Sequence, residues 1–312
     1  MNRVWNLLGW RFVALALAVL ATVLAHSHVD TSSRVLSDDW AVPNPSHAKF
    51  WSLGFDSLVS DYYWLQAVQT VGGDRGVTED KGALIGRLID VVTTLDPWVD
   101  HPYRFAAVWL TGTQEDVATA NRLLERGIAY HPTEWRNHYY LGFNHFFYFE
   151  DYATAADVLE VAVQLPGSPP YLGALVARLR AEVRGIDIAA SFLADLARNT
   201  EDEFERASLL KALDEVETER RARVLDAARA EYSSLNGRDI ERVEDLLSGT
   251  DPVLGALPGA HPHFADWEWV IDRETGLIVS SFYGSRYELH FHPLDKERRD
   301  RFRSDRRKAA EI

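Results

Sequence analysis

Residues 132–166 read PTEWRNHYYLGFNHFFYFEDYATAADVLEVAVQLP. Two helix-forming stretches, Trp135 to Phe149 and Tyr152 to Leu165, are split by the short polar break Glu150-Asp151. Pro132 precedes the first, and Pro166-Gly167 closes the second. Proline lacks the N–H that would continue a helix, so it punctuates both ends. A break this short makes the two helices antiparallel neighbours.

The same beat extends outward. Pro97, Pro132 and Pro166 recur at 35 and 34 residues, as do Ala120, Ala155 and Ala189, and Leu124, Leu159 and Leu193. A period near 34 is the length of a two-helix repeat that cannot bury its apolar face alone. Stacked copies make a solenoid with a groove, which is a device for holding another protein. Further helices are expected over residues 84–95, 103–110, 117–130, 171–183 and 188–197, and a long one from Ser46 to about Val71, ended by Gly72-Gly73-Asp74. In that long helix Phe50, Trp51, Leu53, Leu58, Val59, Tyr62, Tyr63, Leu65 and Val68 make a wide apolar face.

The repeat pattern resembles the tetratricopeptide repeat (TPR) family. Leu141-Gly142 in a first helix, Asp151-Tyr152 and Ala155 opening a second, then Leu159, Ala162 and Pro166 carry the likeness, and Ala120, Leu124, Gly127 and Pro132 repeat it one unit earlier. The likeness spans about Phe50 to Asn199. It implies a right-handed α-solenoid with a concave protein-binding groove. Some members grip a C-terminal carboxylate with Lys and Asn, but no Lys lies between Gly82 and Leu210, so that clamp is not carried over. The plan is also similar to bacterial envelope proteins that place a TPR body behind an N-terminal anchor and help to assemble membrane complexes.

That anchor is expected in residues 1–29. Phe12 to Ala25 (FVALALAVLATVLA) carries no charge, and Arg3 and Arg11 flank it. Fourteen helical residues rise about 21 Å, and extension back to Leu7 brings nineteen residues with a snorkelling Arg11. The readings are an uncleaved transmembrane anchor, a signal peptide cut after Val23-Leu24-Ala25, or a buried soluble helix. The first is adopted: a single pass in a bacterial inner membrane with the body on the periplasmic side, as the positive charges favour. Residues 30–45 (DTSSRVLSDDWAVPNP) read as a linker.

After the repeats of residues 46–200, residues 201–248 read as charged capping helices with a stripe at Phe204, Ala207, Leu210, Leu213 and Val216. Residues 249–295 read as loop and β-hairpin: WEWVIDRETGLIVSSF alternates, with a turn at Asp272 to Gly276, Trp267 and Trp269 docking on the helices, and a third strand expected over Tyr287 to His292. The basic tail, residues 296–312, has eight Lys/Arg against four Asp/Glu. It reads as a solvated terminus or a contact for anionic lipid or an acidic partner.

The net charge is −14, so the rest of the chain carries −18 and repels nucleic acid. Cysteine is absent, which removes disulfides, thiolate metal sites and cysteine nucleophiles. There is no Gly-x-Ser-x-Gly elbow, and Gly72-Gly73-Asp74-Arg75-Gly76 lacks the Lys of a phosphate loop. His261-x-His263 and His290-x-His292, with Asp266, invite a metal reading but lack a helical His-Glu-x-x-His context. No enzyme, cofactor or metal is expected. Mixed polar and aromatic residues on the first helix of the third unit are the candidate partner site: Trp135, Asn137, His138, Tyr139, Asn144, His145 and Tyr148. The alternative is that Tyr139, Phe143, Phe146 and Phe147 are inter-repeat core. The expectation is an all-α, TPR-like scaffold or accessory subunit of a membrane complex. A periplasmic assembly factor is the second reading, and a metal-dependent hydrolase the third.

Overall fold

Short polar breaks become helix caps. Thr113 Oγ1 accepts from the Asp116 backbone N–H at 3.1 Å, and the Asp116 carboxylate accepts from the Thr113 N–H at 3.0 Å. This reciprocal box starts a helix at Gln114. Asp151 caps the helix beginning at Tyr152, and Asp202 the one beginning at Glu203, each by accepting a backbone N–H three residues on.

The computed structural model describes residues 17–20, 42–72, 79–248 and 252–310. Its helices are α1 (Pro45–Trp51), α2 (Asp56–Val71), α3 (Glu79–Leu95), α4 (His101–Trp109), α5 (Gln114–Tyr130), α6 (Trp135–Asn144), α7 (Tyr152–Val163), α8 (Tyr171–Arg184), α9 (Ile186–Asn199), α10 (Glu203–Asn236) and α11 (Pro293–Ala310). The strands β1 (Trp269–Ile271) and β2 (Ile278–Ser280) pair antiparallel, with Trp269 opposite Ser280 and Ile271 opposite Ile278. The chain is therefore mostly helical with one small two-stranded sheet. Residues 44–312 form one unit and residues 1–43 another.

From α2 to α10 every helix packs on the next in sequence, and α3 meets α5, α4 meets α6 and α8 meets α10. Small residues permit this repeat-like stacking. A Cβ on Gly142 would lie 2.5 Å from Leu159 Cγ, and one on Gly127 would lie 2.8 Å from Tyr103 Cγ. Ala120, Ala155, Ala189, Leu124, Leu159 and Leu193, the residues that set the sequence period, are all fully buried. Each buried leucine stabilises by about 1.5–3 kcal/mol.

Several expectations are corrected. The helix from Ser46 to Val71 is broken: Leu53 and Gly54 take positive φ of 50° and 89°, separating α1 from α2. The wide apolar face is largely exposed. The stripe on α10 holds at Leu213 and Val216, which pack inward, but not before them: Phe204, Ala207 and Leu210 are exposed, and Leu209 and Ala212 are buried instead. Residues 203–236 form one continuous helix, stopped by Gly237 at φ 63°. No third strand forms over residues 287–292, since Tyr287 and Phe291 bury against helices instead. Trp269 docks among residues of α10, whereas Trp267 packs edge-on against Phe282. The hairpin turn is as expected, with Gly276 at φ 70° and Asp272 accepting from Thr275.

Among the described residues no helix is long and apolar enough to cross a membrane. Leu17–Leu20 of the expected anchor are helical and exposed. The rest of residues 1–29, the linker up to Ala41 and the turn after Gly72 lie outside the described residues.

Candidate docking surface on the first helices

Helix α6 and the turn that follows it carry aromatic residues at every fourth position. Trp135, Tyr139, Phe143 and Phe147 therefore share one side and form a ladder. Centroids lie 6.1 Å apart for Trp135–Tyr139 and 6.2 Å for Tyr139–Phe143, and Phe143 stacks on Phe147 at 5.2 Å and 11°. Trp135, Tyr139 and Phe143 are half-buried and Phe147 is buried. Burial, then the neighbouring Tyr171 of α8, pushes the Tyr139 phenol up to about 12. A cavity of about 350 Å³ opens beside the ladder, lined by Phe143, Phe147, Leu175, Arg178, Phe291 and Arg298 among others.

The other nominated residues of α6 point elsewhere. Asn144 is buried and donates from Nδ2 to Asn121 Oδ1 of α5 at 2.7 Å. Asn137 is fully buried, and neither atom of its amide has a hydrogen-bond partner among the described residues. His138 is buried too. Burial lowers its pKa, against a bond to the Pro132 backbone that raises it. His145 Nδ1 lies 3.6 Å from Asp151 Oδ2. Tyr148 is buried under Phe302 of α11, at 4.8 Å, with the Arg298 guanidinium 5.4 Å from its ring centre. Only Trp135 and Tyr139 of the seven belong to the ladder.

After Asn144 the helix loosens into a π turn over His145–Phe149, ending at Glu150 with φ 57°. Such turns are rare and recur at functional sites. Here it presents Glu150 to the basic tail. Arg299, Arg303 and Arg306 reach the Glu150 carboxylate at 3.3, 2.5 and 3.2 Å, and Arg298 donates to Thr111 Oγ1 at 2.7 Å. Burial opposes the charge on Glu150, but the three guanidiniums hold its carboxyl below the usual carboxylate range. The chain's own acid thus receives the tail.

The segment before α11 runs over the same helices. Phe291 stacks on Phe146 at 5.3 Å, and the Arg178 guanidinium sits 5.0 Å from the Tyr287 ring centre. Farther back, Arg286 holds the buried Glu219 of α10. Leu289, His290, Phe291, Asp295 and Arg298 form one wall of the aromatic cavity. Sequence reading missed this wall, along with Leu175 and Arg178. The only signal was the alternation of Tyr287, Leu289 and Phe291, which was read as a strand.

The histidine pairs stay apart in role. His261 packs among Phe264, Phe282 and Tyr283, while His263 meets Asp214 at 2.9 Å. His290 and His292 are exposed. Among the described residues, no group of three or more His, Asp or Glu is arranged to hold a metal ion. No protein-family model matches the chain, and no curated protein matches it.

Proposed function

We propose that this chain is a TPR-like α-solenoid that serves as a membrane-held scaffold, binding a protein partner as an accessory subunit of a bacterial membrane complex. The anchor is the apolar run Phe12–Ala25, and the helical body stands on the periplasmic side. The aromatic ladder of α6 carries the reading. Rigid aromatics in a partly open recess are the side chains that dominate protein contacts, because they bury much area at small entropic cost. Tyr171 of α8 is exposed beside Tyr139, extending the surface to the next repeat. The sequential stacking of helices supports the solenoid, and the acidic body supports a protein partner over nucleic acid.

A photo-crosslinking amino acid at Tyr171, in native membranes, tests the reading. One protein is expected to be captured, at a fixed ratio to the chain through purification. Capture is expected to fall at least tenfold when Tyr139 and Phe143 are changed to Ala, a loss of about 1.4 kcal/mol or more. Capture that is unchanged in the Ala variant rejects this surface. A captured protein that departs during purification supports the assembly-factor alternative.

A further inference from the structure

The first two helices of the body carry an apolar surface that the α6 recess does not use. Phe50, Trp51, Leu53, Phe55 and Leu58 are between 67% and 78% exposed. Trp51, Phe55, Leu58, Tyr62 and Leu65 follow one another at spacings of four and three, and all five are exposed. The loop after α3 adds exposed Trp98 and is tied to the same place. Lys49 Nζ donates to Leu95 O at 3.4 Å, and Ser57 Oγ donates to Asp96 Oδ2 at 3.1 Å.

Polar groups at this tip are turned on one another. Lys49 pairs with Asp56 at 2.5 Å, and Ser52 Oγ donates to the other oxygen of that carboxylate. The turn between α1 and α2 then presents Leu53 and Phe55 outward without a free charge from Lys49 or Asp56. Leu53 holds a left-handed φ of 50°, a conformation that Gly or Asn would take more easily. Strained, bulky residues of this kind cluster at functional sites.

We propose that residues 50–65 rest in the headgroup–acyl boundary of a lipid bilayer, as a second membrane contact. The inference depends on the reading that residues 12–25 hold the chain at a membrane. Chain length argues for lipid as the occupant. Nineteen residues, 26–44, lie between the apolar run and the start of α1, and a chain of that length reaches no farther than about 70 Å even when fully extended. A bilayer entered by the apolar run is therefore within tether distance of the tip. The composition agrees, since Trp51, Tyr62 and Trp98 are rings of the kind that gather at membrane–water interfaces.

The absence of cysteine makes the test direct. Single-cysteine variants Leu53→Cys, Leu58→Cys and, as a control on α10, Phe204→Cys take an environment-sensitive fluorophore. The full chain is then reconstituted into phosphatidylcholine–phosphatidylglycerol vesicles, and variants are used only if their helical circular dichroism matches the parent. Labels at positions 53 and 58 are expected to shift to the blue and to be quenched by nitroxide on lipid acyl chains. Iodide in the water is expected to quench them several-fold less than the label at 204. Labels at 53 and 58 as open to iodide as that at 204, on chains that float with the vesicles, overturn the lipid contact and leave the anchor standing. Chains that do not float overturn the anchor and this inference together. Labels open in vesicles but shielded in native membranes assign the surface to a protein and also overturn the inference.

Discussion

Arg286 lays its guanidinium across the buried carboxylate of Glu219, Nε to Oε2 at 2.8 Å and Nη2 to Oε1 at 2.9 Å. The same oxygens take Arg223 Nε at 2.9 Å and the Tyr287 N–H at 3.2 Å, and Arg286 also reaches Asp226 at 2.8 Å. This pair fastens the returning C-terminal segment to α10. A bidentate guanidinium–carboxylate pair is among the stronger polar contacts, and breaking one inside a protein leaves a charge unsatisfied.

Glu219→Gln is expected to lower stability by about 3–5 kcal/mol, the range for removing one partner of a buried pair. Burial opposes the charge on Glu219, but Arg286 and Arg223 hold its carboxyl below the usual range. The contribution is therefore present above the unfolded value of about 4.3 and is lost as pH falls through the lower folded value. Urea unfolding at pH 7 and pH 3 should show the parent losing more stability than Glu219→Gln on acidification. Equal losses would remove Glu219 as the source.

Gly142→Ala is expected to destabilise by about 1–3 kcal/mol, because its methyl would meet Leu159 at 2.5 Å. Combining it with Leu159→Ala should cost less than the sum of the single changes, since the second makes room for the first. A thermal-melt double-mutant cycle reads that coupling. Additive costs would mean that α6 and α7 do not depend on this close approach.

Glu150→Ala is expected to free α11 while leaving the helical body folded. Three arginines lose their common acceptor, and the packing of Phe302 on Tyr148 remains as the main apolar contact. Hydrogen exchange over residues 293–310 should quicken by about 10- to 100-fold, which corresponds to about 1.4–2.7 kcal/mol. Acid should act likewise, because Glu150 contributes above the unfolded carboxylate value and stops contributing as pH falls through its lowered one. Unchanged protection in the variant would show that apolar packing alone holds the helix.

Asn121→Ala should cost about 1–3 kcal/mol, since it leaves the buried Asn144 amide without its 2.7 Å partner. The pair changed together to Leu should be closer to the parent than Asn121→Ala alone. Chemical denaturation of the three proteins decides, and a double variant as weak as the single would remove the hydrogen bond as the cause.

Leu53→Asn is expected to raise the melting temperature in detergent. Asn accepts the left-handed backbone that costs a bulky residue about 1–3 kcal/mol. The same change should weaken lipid protection of a label at Leu58→Cys. A variant no more stable than the parent would show that the turn is not strained.

Much of the stacking was legible because its signals are local. Proline punctuation and buried Ala and Leu at matching positions mark where helices end and where they cross. The breaks Thr113 to Asp116 and Glu150-Asp151 fall at caps. Thr113-x-x-Asp116 was itself a capping-box signal, and reading it would have placed the start of α5 at Gln114. Misses have two physical sources. In the segment Phe50 to Phe55, periodicity looked continuous, but local bonds of Ser52 to Lys49 and Asp56 favour a turn that the apolar pattern cannot show. In the tail, Arg299 meets Glu150 across 149 positions of chain, and no local pattern records such a meeting. The candidate site divides the same way. Spacing revealed that α6 is rich in aromatics, but which side is open depends on Phe291 and Phe302, which arrive from the far end.

Phe291 and Phe302 lie over Phe146 and Tyr148, so the rings in the middle of the helical stack are closed by a segment from far along the chain. A chain shortened to residue 285 would keep the stacked helices α2 to α10 but leave those rings uncovered, and bare rings of that kind favour aggregation.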